Sequence, residues 1–143
     1  MSNEANKTAS RRWYEDIFNQ GQLALADEIC SPDYVNIDPY APPGGWPRGP
    51  EGTRALVTTY RTAFPDLQFT LEDQIAEGNQ VVTRWTARGT HTGPLPGGID
   101  PTGRPAVVTG ISIERYVDGK MVASRVNWDM LGMLQQLGIV SPA

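Results

Sequence analysis

The sequence predicts an α+β fold: a cone-shaped barrel of a strongly curved antiparallel sheet packed against three N-terminal helices, with a short C-terminal helix. Three observations carry that reading. Apolar residues repeat at helical spacing up to Phe64, the repeat shortens to every second residue from Leu67, and Leu131, Leu134 and Leu137 restore the helical period at the end. Helices segregated from a continuous meander of strands define the class. A bent sheet wrapped around helices leaves a conical hollow at one end, where small-molecule pockets form.

Residues 1–10 are polar and read as a flexible start, with a single domain over residues 11–143. Trp13, Tyr14, Ile17 and Phe18 recur at i, i+1, i+4 and i+5, the stripe of a first helix that stops at Asn19-Gln20-Gly21. A second, short helix covers Leu23 to Cys30. Ser31-Pro32-Asp33 breaks the pattern, and Tyr34 to Ile37 is a short strand. Asp38 to Gly49 holds four prolines and three glycines, the composition of an ordered loop or lid rather than regular structure. Pro50 suits the first position of a third helix, whose Leu56, Val57, Tyr60 and Phe64 share a face. Four long strands follow: one from Leu67 to a turn at Glu77-Gly78-Asn79, then Val81 to Gly89, Val107 to Tyr116 and Met121 to Asp129. Asp118-Gly119 marks the last hairpin. Gly138 stops the closing helix.

At 143 residues the chain is long enough to bury one core without disulfides or structural metal. Its formal charge of -4, with both signs scattered, argues against a nucleic-acid or anionic-membrane surface. A small neutral partner is expected instead. The single cysteine, Cys30, lies in an apolar segment and reads as a packed hydrophobe. The lone His91 excludes any site that needs two or more histidine ligands, and no Cys cluster can substitute, so no metal site is expected. With no apolar signal core and no long apolar run, a cytoplasmic location is expected.

Several side chains are candidates for chemistry. Alternation along the last strand puts Arg125, Asn127 and Asp129 on one face. A carboxylate walled by Trp128, Met130 and Phe64 either finds a partner or stands beside a cavity, where Asp129 can act as general acid or base. Asp129 at a helix start equally suits a cap. Asn127 can donate to a substrate carbonyl, or be a buried amide satisfied by backbone. His91, just past a strand end, can shuttle a proton or simply bond loop backbone. Arg84 is either a pocket residue paired with an acid such as Asp129 or Glu114, or a solvated sheet residue. Tyr34 and Asn36 share a strand face and can orient a water or a carbonyl. Trp46, Phe64 and Trp128 are candidate aromatic walls, Trp46 as a lid contact.

Four segments resemble the SnoaL-like polyketide cyclase group, often called ester cyclases, of the nuclear-transport-factor-two-like superfamily. They are Trp13 to Gly21, Ala63-Phe64-Pro65-Asp66-Leu67, Arg84 to Gly93, and Trp128-Asp129 through Gln135-Gln136-Leu137-Gly138. Pro101-Thr102-Gly103-Arg104 fits as well. The resemblance implies a cone-shaped fold, a homodimer through the sheet, and cofactor-independent chemistry in an apolar pocket. It also implies a last-strand aspartate that removes a carbon-bound proton before intramolecular aldol closure. In those cyclases the acid directly precedes the tryptophan; Asn127 holds that place here, and the nearest carboxylate is Asp129. Limonene-type epoxide hydrolases are a second comparison. Their aspartate falls on Asp129, Tyr34-Val35-Asn36 is similar to their water-positioning pair, and Arg84 matches their arginine, while Thr86 replaces their second aspartate.

The expected protein is therefore a cofactor-independent, acid-base enzyme acting on a small, mainly apolar, polyketide-like or cyclic molecule. Asp129, Asn127 and His91 are its expected catalytic residues. Tyr34, Asn36, Trp46, Phe64, Arg84 and Trp128 are its expected substrate contacts. An epoxide hydrolase and a non-catalytic binding protein are the alternatives.

Overall fold

A computed structural model describes residues 2–141. The Ser2 hydroxyl accepts the Ala5 N–H at 3.1 Å and caps helix α1, Asn3–Arg12. This corrects the expected flexible start, which is helical from Asn3. The helix carries no apolar stripe because the side chains it buries, Asn6 and Ser10, are polar. It runs on as a π-helical stretch, Trp13–Asn19, that buries Trp13, Tyr14, Ile17 and Phe18 together. Full burial of a side chain such as Ile17 or Phe18 contributes about 1.5–3 kcal/mol.

The segment expected as one helix over Leu23 to Cys30 divides instead into a 3-10 turn at Leu23–Leu25 and helix α2, Ala26–Ile29. Cys30 already begins strand β1, Cys30–Ile37. Its thiol is buried against Thr53 Oγ1 at 3.3 Å, and burial pushes its pKa up. Helix α3, Pro50–Ala63, starts at Pro50 as expected. Gly52 lets the preceding loop return against it: a Cβ there would lie 2.2 Å from the Pro47 carbonyl oxygen.

Strands β2, Gln68–Glu77, β3, Gln80–Thr90, β4, Pro105–Val117, and β5, Lys120–Trp128, form the antiparallel meander. Asp118 and Gly119 both take positive φ, 50° and 79°, the backbone a two-residue hairpin turn requires. The sheet order is β1-β5-β4-β3-β2. β1 pairs with β5 in parallel, so the sheet is mixed rather than purely antiparallel. The β1–β5 register slips between Cys30 and Val35, where Pro32 has no N–H to give the ladder. Extra residues at Glu72 in β2 and Val122 in β5 add bulges that bend the sheet. Helix α4, Met130–Gln136, closes the fold.

In β4 the inward set is Ala106, Val108, Ser112, Glu114 and Tyr116, whereas Val107, Ile111, Ile113 and Val117 are exposed. In its second half the strand thus turns Ile111, Ile113 and Val117 outward and Ser112 and Glu114 to the interior. In β5 the inward residues are Ser124, Val126 and Trp128, and Arg125 and Asn127 face out. The face expected to carry Arg125, Asn127 and Asp129 into the hollow is its outer face.

Candidate active site

The concave face of the sheet and the helices enclose an apolar hollow of about 750 Å³, open solvent at its mouth included. Its walls include Phe18, Leu56, Phe64, Phe69, Trp85 and Val108. Trp85 lies flat enough to use the space above Gly110, because a Cβ at residue 110 would sit 2.2 Å from its ring. The Trp85 indole N–H donates to Ser112 Oγ at 3.1 Å, which fixes the ring. Among the described residues, no group of His, Cys, Asp and Glu side chains is placed to hold a metal ion.

One aspartate lines this hollow, Asp38, half-buried at its rim where β1 passes into the long loop. Its carboxylate accepts three neutral donors: Trp128 Nε1 at 3.3 Å, Trp46 Nε1 at 3.3 Å and the Tyr40 backbone N–H at 2.9 Å. The rings of Tyr40 and Tyr60 stand edge-on to Trp128, at centroid distances of 5.2 and 5.9 Å. Burial, and then the negative charge of Asp38, push the Tyr60 phenol up. A carboxylate held by neutral donors alone, against aromatic walls, is an arrangement that can accept a proton from a bound carbon acid.

Asn36 also lines the hollow and donates its amide N–H to the Tyr34 hydroxyl at 3.2 Å. Its carbonyl oxygen is buried without a partner among the described residues. Exchanging the two amide atoms would leave the N–H₂ group facing the unfilled place instead, so either orientation leaves polar capacity at the cavity wall. Tyr34 is fully buried behind it, and burial pushes its hydroxyl up. The cavity floor carries Tyr14 and Ser112, both nearly inaccessible.

Of the residues expected at the site, Asn36, Phe64 and Trp128 line the hollow. Trp46 joins them through Asp38, and Tyr34 stands behind Asn36. The others are placed elsewhere. Asp129 is exposed and caps α4, accepting the Gly132 N–H at 2.9 Å. Asn127 is exposed on the outer sheet face. Arg84 is exposed there too, paired with Asp73 at 2.8 Å rather than with Asp129 or Glu114. His91 is fully buried but outside the cavity wall. The Thr102 backbone N–H donates to its Nδ1 at 3.1 Å, and it tethers the Thr92–Arg104 segment through His91 N–H to Arg104 O at 2.9 Å.

Sequence reasoning missed Asp38, Tyr14 and Tyr60 as site residues. A signal for Asp38 was present: the period of two that joins Tyr34 to Asn36 reaches Asp38 next. It was masked because Asp38 also begins the proline-rich loop. Tyr14 and Tyr60 belong to the helical stripes that the sequence pattern marks, but those stripes face a cavity rather than a filled core.

The structure is thus a two-layer α+β cone with an apolar, carboxylate-rimmed hollow. The sequence pattern of the SnoaL-like polyketide cyclase family matches residues 8–137, and the chain belongs to that family. It is similar to TsrD from Streptomyces laurentii, with a TM-score of 0.86 and 28% identity over 98% of this chain and 99% of that one. IdmH from Streptomyces antibioticus, provisionally designated a polyketide cyclase, has a TM-score of 0.79 and 35% identity over 93% of this chain and 98% of its own. A protein of Acidithiobacillus ferrooxidans with the same provisional designation has a TM-score of 0.84 and 26% identity, over 99% and 100%. No curated protein matches the chain. No helix among the described residues is long and apolar enough to cross a membrane.

Proposed function

We propose that this chain is a polyketide cyclase-type enzyme that takes a small, mainly apolar, carbonyl-bearing molecule into the hollow and transfers a proton at carbon. Asp38, not Asp129, is the base. It removes a C–H proton activated by a neighbouring carbonyl; the enolate carbon attacks a second carbonyl of the same molecule, and the new alkoxide takes the proton back from Asp38. Asn36 supplies polar contact to a substrate oxygen, with Trp128, Tyr60 and Phe64 as walls. Proton removal and aldol closure leave the oxidation level unchanged, so the reaction needs no electron carrier.

The observation that carries this reading is the carboxylate of Asp38, rimming an apolar cavity and held only by neutral donors. The hydrolase alternative loses support because Arg84 and Asp129 lie outside the hollow while Tyr34 and Asn36 bond each other. Deuterium exchange into the activated CH₂ of ethyl benzoylacetate, followed by NMR, tests the proposal. The wild-type chain should accelerate exchange, and Asp38→Asn should lose roughly 10²–10⁴-fold of that acceleration. Exchange that survives in Asp38→Asn would remove the base; binding without exchange in the wild type would favour a non-catalytic binding protein.

A homodimer through the outer sheet face is part of the same reading. Ile75, Val107, Ile111, Ile113 and Val117 are each more than two-fifths exposed there, and paired register sets Ile75, Val82 and Ile113 in one row across three strands. Light scattering should give a dimer mass that Ile111→Glu halves.

A further inference from the structure

Glu114 is the one carboxylate of the described core, 1% exposed on the inward face of β4 beneath the cavity floor. It is not on the cavity wall, and the reaction proposed above does not use it. Three neutral hydroxyls donate to its carboxylate: Ser10 at 2.5 Å and Thr83 at 3.2 Å to Oε1, and Tyr14 at 3.2 Å to Oε2; with a proton on Oε2 the last bond reverses, Glu114 donating to the Tyr14 oxygen and freeing the Tyr14 O–H. Ser10 and Thr83 also receive the amide of Gln74 at 3.0 and 3.2 Å.

The groups that face Glu114 contribute no compensating cation. α1 supplies Ser10, the π-helical stretch Tyr14, and β3 Thr83. β1 supplies Tyr34, and β4 adds Tyr116, whose hydroxyl lacks a partner among the described residues. The nearest cation linked to the cluster, Arg11, lies outside it on Gln74. Burial pushes Glu114 up to about 7 against the opposing pull of the three hydroxyls, so the acid keeps its proton below neutrality. Tyr14 links this buried acid to the cavity, since it is one of the lining residues and its hydroxyl bonds Glu114.

We propose that Glu114, acting through the Tyr14 hydroxyl, is a proton store for the oxygen of the bound carbonyl, opposite the base at the rim. The inference rests on the reading of Asp38 given above. As Asp38 takes the carbon-bound proton, electron density moves to the carbonyl oxygen. Tyr14 passes its proton to that oxygen and receives the proton of Glu114, leaving a neutral enol, a neutral Asp38 and a Glu114 carboxylate. The C–H bond and the Glu114 O–H bond break, O–H bonds form on Asp38 and on the enol, and Tyr14 exchanges one proton for another. On ring closure the enol proton returns through Tyr14 to Glu114 while Asp38 protonates the new alkoxide, and the protein is restored. A proton delivered inside an apolar cavity avoids building an unpaired oxyanion there.

The same ethyl benzoylacetate exchange, measured against pH, tests the relay. The wild-type rate should fall as pH rises past about 7, where Glu114 loses its proton. Glu114→Gln should lower the rate below that pH by about 10²-fold and abolish the fall, and Tyr14→Phe should do the same. Unchanged rate and profile in Glu114→Gln, or a fall near pH 7 that persists in Tyr14→Phe, would overturn the proposal.

A second measurement works without turnover and without the Glu114 variant. In Asp38→Asn carrying ¹³C at glutamate Cδ and tyrosine Cζ, one glutamate should titrate near pH 7, and the Tyr14 signal should follow it. No glutamate titrating near neutrality, or a Tyr14 signal indifferent to it, would refute the coupling. Because Asp38→Asn is silent in exchange only if Asp38 is the base, failure of the base and failure of the store are read separately.

Discussion

The indole N–H of Trp128 reaches the carboxylate of Asp38 at 3.3 Å across 90 residues of sequence. That bond ties the end of β5 to the end of β1 at the cavity rim. The Trp46 indole takes the second carboxylate oxygen, also at 3.3 Å. An ionised carboxylate offers about four acceptor positions, so a site for a substrate proton remains after its three protein donors are counted.

Asp38 and Asp129 should separate cleanly in mutants. Asp38→Asn should abolish most of the carbon-acid exchange. Asp129→Ala should leave exchange unchanged but cost about 1 kcal/mol of stability, since the Gly132 N–H loses its cap. Paired exchange rates and urea midpoints check both.

Replacing Trp128 by Phe removes one donor to Asp38 while keeping an aromatic wall beside Tyr60. Loss of one neutral hydrogen bond, worth about 0.5–1.5 kcal/mol, destabilises the charged carboxylate and strengthens it as a base, so exchange should rise by up to roughly tenfold with the fold intact. A rate equal to wild type would show that Trp128 is wall only.

Glu114 should make stability depend on pH in a defined direction. Its folded value lies near 7 against an ordinary 4.5. Between these values the folded chain keeps a proton that the unfolded chain has released, so unfolding free energy falls as pH rises, then levels off above about 7. The full contribution is about 3 kcal/mol. Urea unfolding of wild type and Glu114→Gln across this range should show the difference between them shrinking in favour of the variant as pH rises.

Gly110→Ala should be costly although Gly110 lies in a strand where most residues are tolerated. Its Cβ would strike the Trp85 ring, which the Ser112 bond holds in place. Overpacking of this kind costs about 1–3 kcal/mol. Tryptophan fluorescence and thermal unfolding would register the displaced ring.

The order of helices and strands was legible because each element's period is local: a helical stripe at Trp13 to Phe18, alternation from Leu67, and a hairpin turn at Asp118-Gly119. The beginning of α1 was not legible, because Asn6 and Ser10 are buried through polar contacts that leave no apolar stripe. Nor was the β1–β5 pairing direction, which depends on where two distant segments meet.

The site was half legible for a related reason. Asn36, Phe64 and Trp128 reach the cavity wall, yet the carboxylate expected beside Trp128 faces the other way. Moving one residue along a strand reverses the face, and β5 places Trp128 inward, Arg125 and Asn127 outward, and Asp129 beyond its end.

By itself the sequence determined the class of fold, the position of the pocket-forming elements and the family, since these follow from periodicity, turn residues and motif order. Only the tertiary structure decided which carboxylate lines the cavity. That choice depends on strand register and on an indole from β5 meeting an aspartate after β1, and neither relation is written in any local stretch of chain.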